Sequence, residues 1–205
     1  MKIGILGVGG IGLASAAWLA QRGHEAWLWA PRGAAREPGA GTLVSTGVLD
    51  ARAQVTWAPS VAALSAACEV LVVAVPVNGH RTVMDALAPH LRPGQTVIVS
   101  SMASLSSLYL FEQARRLGVA DLTVASIGTT VLTARREAAD RVRIMTRRSQ
   151  LGVSALPTAR QGQVLALCTA LFGDGFAVQS NALASALTNI NPAAHGPLAL
   201  FNWTR

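Results

Sequence analysis

The chain has 205 residues, enough for one sizeable domain or for one domain and part of a second. Hydrophobic residues make up 51% and charged residues 13%, which excludes a disordered chain, and two widely separated cysteines exclude a disulfide framework or a thiolate metal centre. The formal charge of +7 rests on arginine, since Lys2 is the sole lysine; with no nucleic-acid motif beside it, it suits an anionic small ligand or a solvated charged face. The mean hydropathy of +0.40 implies either a sheet buried on both faces or an apolar surface that something else covers.

The first element is a short apolar strand, Lys2 to Leu6. The turn Gly7-Val8-Gly9-Gly10-Ile11-Gly12 follows it and opens an alanine-rich helix running to about Gln21. This is G-x-G-x-x-G in its required context. Gly7 allows the tight turn, Gly9 removes the side chain that would block a diphosphate, and Gly12 lets helix and strand lie close. The free N–H groups and positive dipole end of that helix would face the anion. Gly7, Gly9, Gly10, Ile11 and Gly12 are therefore the first cofactor-binding candidates; the competing reading is a turn that only packs. The same stretch, uncharged from Ile3 to Gln21, imitates a secretory signal, but its five glycines argue against a continuous apolar helix. No glycine-free apolar run is long enough to span a bilayer.

Residues 25–30 read as the second strand. An NAD-selective fold places a carboxylate at its end, for the ribose 2′-hydroxyl. Here the segment ends Ala30-Pro31-Arg32, with Arg36 behind it and no carboxylate before Glu37. A guanidinium at Arg32 suits a 2′-phosphate, which favours NADP, with NAD as the alternative. Arg32 could instead stack on adenine. Trp27 and Trp29 share one strand face and read as core. Residues 33–41 read as a Gly/Pro/Ala-rich loop.

Strands are expected at 55–57, 69–75, 95–100 and 122–126, with helices at 59–67, 78–91 and 105–117 between them. That alternation predicts a parallel α/β sheet, doubly wound in the Rossmann manner. The strand at 69–75 is a β-branched run that reads as central and buried. Its exit, Val75-Pro76, lies at the carboxyl edge where open α/β sheets bind ligands, so both residues join the cofactor candidates. The exits Ser100-Ser101-Met102 and Ile127-Gly128-Thr129-Thr130 are small and polar, as a nicotinamide ribose needs. Further strands are expected at 141–146, 152–155 and 175–178, and a helix at 158–171. Arg141, Arg143 and Arg147 alternate with apolar or small residues, as on a wet strand face. Cys68 and Cys168 sit in apolar segments and read as small buried side chains in a reducing, cytoplasmic setting.

Residues 181–205 read as one long apolar helix interrupted by Pro192 and by Gly196-Pro197. At about 100° per residue, Asn191, His195 and Asn202 fall in one narrow sector. An apolar helix seldom carries such a stripe unused, because each buried amide or imidazole needs partners. Pro192 is expected to free the carbonyl of Thr188. His195 is the candidate acid–base and Asn191 its catalytic neighbour; a purely structural histidine is the alternative.

The stretch Asn189-Ile190-Asn191-Pro192-Ala193-Ala194-His195-Gly196-Pro197, with Leu200-Phe201-Asn202 after it, resembles the segment opening the second domain of the octopine/nopaline (opine) dehydrogenases. That resemblance implies a nicotinamide-dependent oxidoreductase acting on CH–NH donors, which condenses an amino acid with a 2-oxo acid. It implies that His195 handles the proton and that Asn191 holds substrate, with Asn202 and Arg135 as further substrate-binding candidates. Arg135 follows Thr130-Val131-Leu132-Thr133-Ala134, though the proline usual nearby in the family is absent. The resemblance also implies residues 1–180 as the dinucleotide-binding domain and 181–205 as the start of an all-helical domain. A chain ending here would then lack half its cleft. Small-molecule substrates and a homodimer are the expected partners, with no nucleic acid, no membrane and no metal. The alternatives are a non-catalytic NADP-binding module and a ketopantoate-reductase-like enzyme, although the latter relies on a lysine that only Lys2 could supply.

Overall fold

The computed structural model describes residues 1–31, 39–101, 105–189 and 191–203, with no side chains for 191–193. Its centre is a run of parallel strands: β1 (Lys2–Leu6), β2 (Glu25–Trp29), β4 (Ala51–Trp57), β5 (Val70–Val73), β6 (Thr96–Val99) and β7 (Thr123–Ile127). They lie in the order β4-β2-β1-β5-β6-β7, so the chain reverses direction across the sheet between β1 and β5. That is the doubly wound, Rossmann-type order, and its switch point lies at the β1 turn. Every residue of β5, β6 and β7 is buried, which explains their unbroken apolar or small character.

The sheet continues past both ends of this core. Beyond β7, β10 (Leu151–Leu156) joins antiparallel and β11 (Phe176–Val178) pairs parallel with β10. Beyond β4 come β3 (Gly39–Gly47), β9 (Arg141–Arg147) and β8 (Leu132–Ala138), completing an 11-stranded sheet among the described residues.

One face is covered by α2 (Val61–Ala67), α3 (Val77–Leu87) and α4 (Ser106–Arg116); Leu64, Met84, Leu87 and Leu110 fill the layer between. Trp27 and Trp29 pack against this cluster, as their strand face implies. The other face carries α1 (Gly10–Gln21) and α5 (Gln161–Phe172). α1 packs on β2 and β4, and β3, β9 and β8 meet it as well, so the sheet's extension closes over the helix. Small side chains make this feasible. From Gly12 to Leu19 only Trp18 escapes full burial. The high hydropathy therefore reflects a sheet packed on both faces and a helix wrapped by strands.

Two strands depart from the sequence expectation. Residues 39–41, read as loop, begin β3, and 132–138 form β8 where no strand was expected. The expected long helix at 181–205 is two helices, α6 (Ala182–Leu187) and α7 (Asn191–Asn202). Pro192 accordingly sits in the first turn of α7, where a missing N–H costs nothing, and not in mid-helix freeing Thr188. Pro197 lies inside α7.

Candidate functional site

The site is built around the β1–α1 turn. Gly7 has φ +127°, and a Cβ there would stand 2.5 Å from the carbonyl oxygen of Ala74. Its N–H donates to the Trp29 carbonyl at 2.8 Å, while Ala74 N–H donates to Leu6 at 2.9 Å. These bonds tie together the ends of β1, β2 and β5. A Cβ on Gly12 would overlap the Gly7 carbonyl oxygen, so helix and turn are in direct backbone contact. Gly9 differs: a Cβ there would meet nothing within 4 Å. Nothing in the described fold requires glycine at position 9. The open space in front of it is the cradle a diphosphate needs. Gly9 is also the N-cap of α1, and no side chain caps it, so the first N–H groups face that space.

Gly10 has a second role that the motif does not reveal. A Cβ at Gly10 would stand 2.6 Å from the Ala134 carbonyl oxygen and 3.2 Å from the Arg136 nitrogen. Glycine here admits β8 onto the start of α1.

Two cavities meet at Gly9, Ala74, Val75 and Pro76. One, of about 640 Å³, also takes in Gly7, Ala30, Pro31, Gly79 and Arg136. The other, of about 530 Å³, runs over Gly10, Ile11, Ser100, Ser101 and Thr130 to Asn189 and His195. The pair spans the carboxyl edge on both sides of the switch point, as an extended two-part ligand requires. The residues present fit a dinucleotide: an open glycine cradle, a helix N-terminus without a side-chain cap, and walls largely of small or apolar side chains. Gly7, Gly9, Gly10, Ile11, Val75 and Pro76 all line these cavities. Gly12 does not line either; its place is in packing. Arg32 and Arg36 lie outside the described residues.

The Val75–Pro76 exit is held from behind. His80, on α3, is 3% exposed. Its Nε2 lies 3.1 Å from the Val75 carbonyl oxygen and its Nδ1 lies 2.8 Å from Ser106 Oγ. A carbonyl only accepts, so Nε2 carries the proton and Nδ1 accepts from the Ser106 hydroxyl. The ring is thus a neutral strut between the loop and α4. Burial pushes its pKa below the ordinary 6.5, opposed by the Val75 bond.

α6 brings the C-terminal segment to the edge. A Cβ on Gly128 would lie 2.6 Å from the Ser185 carbonyl oxygen, and Ser185 Oγ donates to Ser154 Oγ at 2.8 Å in a buried contact. Docked there, the chain enters α7, whose His195 reaches the 530 Å³ cavity from an exposed position. Asn191 opens α7, and its side chain is outside the described residues. Asn202 is exposed and its Nδ2 donates to the Leu198 carbonyl at 2.9 Å, within its own helix. Arg135 is an exposed residue of β8. Neither of these two joins His195 in the cavity. The polar exits read from the sequence contribute Ser100, Ser101 and Thr130 to the lining, and the structure adds Arg136 and Asn189. Arg136 was hidden in the sequence because β8 carries no strand signature.

Cys68 and Cys168 are free and buried, with thiols pushed up to about 12 by burial, so neither is a nucleophile. Among the described residues no group of three or more metal-ligating side chains occurs, and no helix is long and apolar enough to cross a membrane.

Fold and cavities together define a Rossmann-type dinucleotide-binding architecture with a histidine at the far end of its cleft. Residues 3–156 match the family model described as Ketopantoate reductase PanE/ApbA, and the chain belongs to that family. It also resembles, over 98% of its length, an opine dehydrogenase of Arthrobacter sp. (strain 1C), at 26% identity. Similar solved structures include a yersinopine dehydrogenase with NADP+ bound (TM-score 0.75, 20% identity, 98% of this chain and 52% of that one). An octopine dehydrogenase solved with NADH and L-arginine has a TM-score of 0.71 at 17% identity, covering 94% of this chain and 52% of that one. The likeness to opine dehydrogenases read from the Asn/His stretch is borne out. The chain spans 57% of the curated relative and about half of each solved one. The family match ends at residue 156, before the C-terminal segment on which that likeness chiefly rests.

Proposed function

We propose that this chain is the cofactor-binding part of a nicotinamide-dependent oxidoreductase of opine dehydrogenase type, which reductively joins an amino acid to a 2-oxo acid. One observation carries the reading: His195 borders the same cavity as the glycine turn and the Val75–Pro76 exit. The 530 Å³ space between them can seat a nicotinamide and a small substrate together. A reduced nicotinamide, when bound, supplies the hydride.

The chain's own residues do the rest. Gly9 and the first N–H groups of α1 receive the diphosphate, and Val75 and Pro76 wall the cleft between its halves. Loss of water from amine and 2-oxo acid leaves a C=N bond. The hydride adds to its carbon, and a proton ends on its nitrogen. His195, as imidazolium, is the donor within the reaction space, and as neutral imidazole it takes the proton back in the oxidative direction. Asn191 orients the substrate, while Arg135 and Asn202, which do not line the 530 Å³ cavity, would meet only parts of the substrate that reach beyond it. Arg32 and Arg36 favour NADPH over NADH by their charge. Residues 181–205 begin a helical domain completing the amino-acid pocket. The assembly is a cytoplasmic homodimer.

A ketopantoate-reductase-like reaction is the second reading, favoured by the family match over 3–156. It lacks a lysine near the cleft: Lys2 lies on β1, with its Nζ 3.9 Å from Glu25. A non-catalytic NADP-binding module is the third.

The test is turnover of NADPH with pyruvate and a panel of amino acids, on the protein at the full extent of its reading frame. His195→Asn should lower turnover by about 10²- to 10⁴-fold while sparing cofactor affinity. Near-normal turnover in that variant would make His195 structural. Cofactor binding without turnover on any substrate would support the module.

A further inference from the structure

Arg136 stands apart from the motif yet lies on it. It belongs to β8, the last strand of the sheet's extension, 124 residues beyond Gly12 in sequence. Its Nη1 donates to the Val8 carbonyl at 3.0 Å and its Nε to the Ala138 carbonyl at 3.0 Å. β8 shifts register against β9 between Arg136 and Ala138. Such irregularities re-aim side chains at sites. The same side chain borders the 640 Å³ cavity together with Gly7, Val8 and Gly9. Gly10 is glycine partly because this strand passes over it.

From this placement we propose that Arg136 is a diphosphate contact, delivered from outside the classical strand–turn–helix unit. This contact presupposes that the cleft binds a dinucleotide. Two of its nitrogens bond to main-chain carbonyls, which fixes the guanidinium plane at the mouth of the cavity. Nη2 has no hydrogen bond among the described residues. A fixed guanidinium beside a glycine cradle is a phosphate-binding group, since its forked donors match phosphate oxygens. The bond to Val8 also holds the turn itself. The turn and its ligand clamp are therefore one unit, and the strand extension is part of the binding site as well as a cover for α1. A 2′-phosphate is the other phosphate of a dinucleotide within reach of this cavity, and the two sources are separable.

The experiment titrates NADPH and NADH into the wild-type chain and into Arg136→Met and Arg136→Lys, following quenching of tryptophan fluorescence and the thermal midpoint. Arg136→Met should weaken both cofactors by at least about tenfold and to the same degree. Arg136→Lys should recover part of the loss, because charge returns without the fork. Wild-type binding should also weaken with added salt more steeply than binding to Arg136→Met. Unchanged affinity in a folded Arg136→Met would overturn the proposal, and so would a loss confined to NADPH, which would place the side chain at the ribose phosphate. If Arg136→Met does not fold, equal wild-type affinity in Arg136→Lys, with an unchanged salt dependence, would overturn it. If the wild type itself binds neither cofactor, the dinucleotide reading fails first.

Discussion

At the scale of single residues, the four glycines of the turn are not equivalent. Gly7 is required by a left-handed backbone, Gly12 by contact with the Gly7 carbonyl and Gly10 by the passage of β8, whereas Gly9 is required by nothing in the described fold. The motif was legible because the first two constraints are local to strand, turn and helix. The role of Gly10 was not, because its neighbour is 124 residues away. Arg136 carries no local signal for the same reason, while Arg135, the arginine that the family resemblance points to, lies exposed on β8. A direct consequence is that Gly12→Ala should destabilise the fold by about 1–3 kcal/mol or more, because backbone cannot yield as a side chain can. Gly9→Ala should cost far less. Urea unfolding of the two variants checks the contrast, and equal losses would contradict it.

At the scale of elements, strongly patterned segments were readable and weakly patterned ones were not. The β-branched run at β5 and the alternation of Arg141, Val142, Arg143 and Ile144 in β9 announce strands on their own. β3, with three glycines, and β8, with two arginines and a glutamate, are strands only because each finds a neighbour in the sheet. That is tertiary pairing overriding local preference. The last helix broke in two because α6 is anchored at Gly128 and Ser154, a long-range contact that hydropathy does not encode. The strut joining α3, α4 and the Val75 exit makes stability depend on pH. His80 is held below its ordinary value in the fold, so the unfolded chain takes up its proton first as pH falls. Stability from this group is fully present above about 6.5 and declines below it, at no more than about 1.4 kcal/mol per pH unit. His24, also lowered by burial, acts in the same direction. Denaturant midpoints between pH 7.5 and 5 should fall in the wild type and fall less in His80→Gln. Parallel curves would show that His80 does not carry the effect.

At the scale of the whole molecule, the sequence's high hydropathy has two destinations. Most of it lies in the two layers flanking the sheet, with α1 enclosed by strands. Part of the remainder is displayed near the C-terminal end, where Leu187 of α6 is 77% exposed, Phe201 of α7 79% and Trp203, just past α7, 85%. Large apolar side chains exposed together along one segment favour burial by contact. The doubly wound order also explains why the cleft falls where it does: the reversal between β1 and β5 opens the carboxyl edge at the glycine turn. The central claim is that this edge binds a dinucleotide through the cradle at Gly9. It is tested most directly by calorimetric titration of NADPH and NADH into the wild-type chain and into Gly9→Val. Valine adopts the φ of −76° and ψ of −176° found there without strain, and its Cβ meets nothing, so the variant should fold with a loss of about 1 kcal/mol at most. The account predicts saturable binding of one dinucleotide per chain, tighter for NADPH, and its abolition in folded Gly9→Val. Undiminished affinity in that variant, or no binding of either cofactor by the wild type, would contradict it.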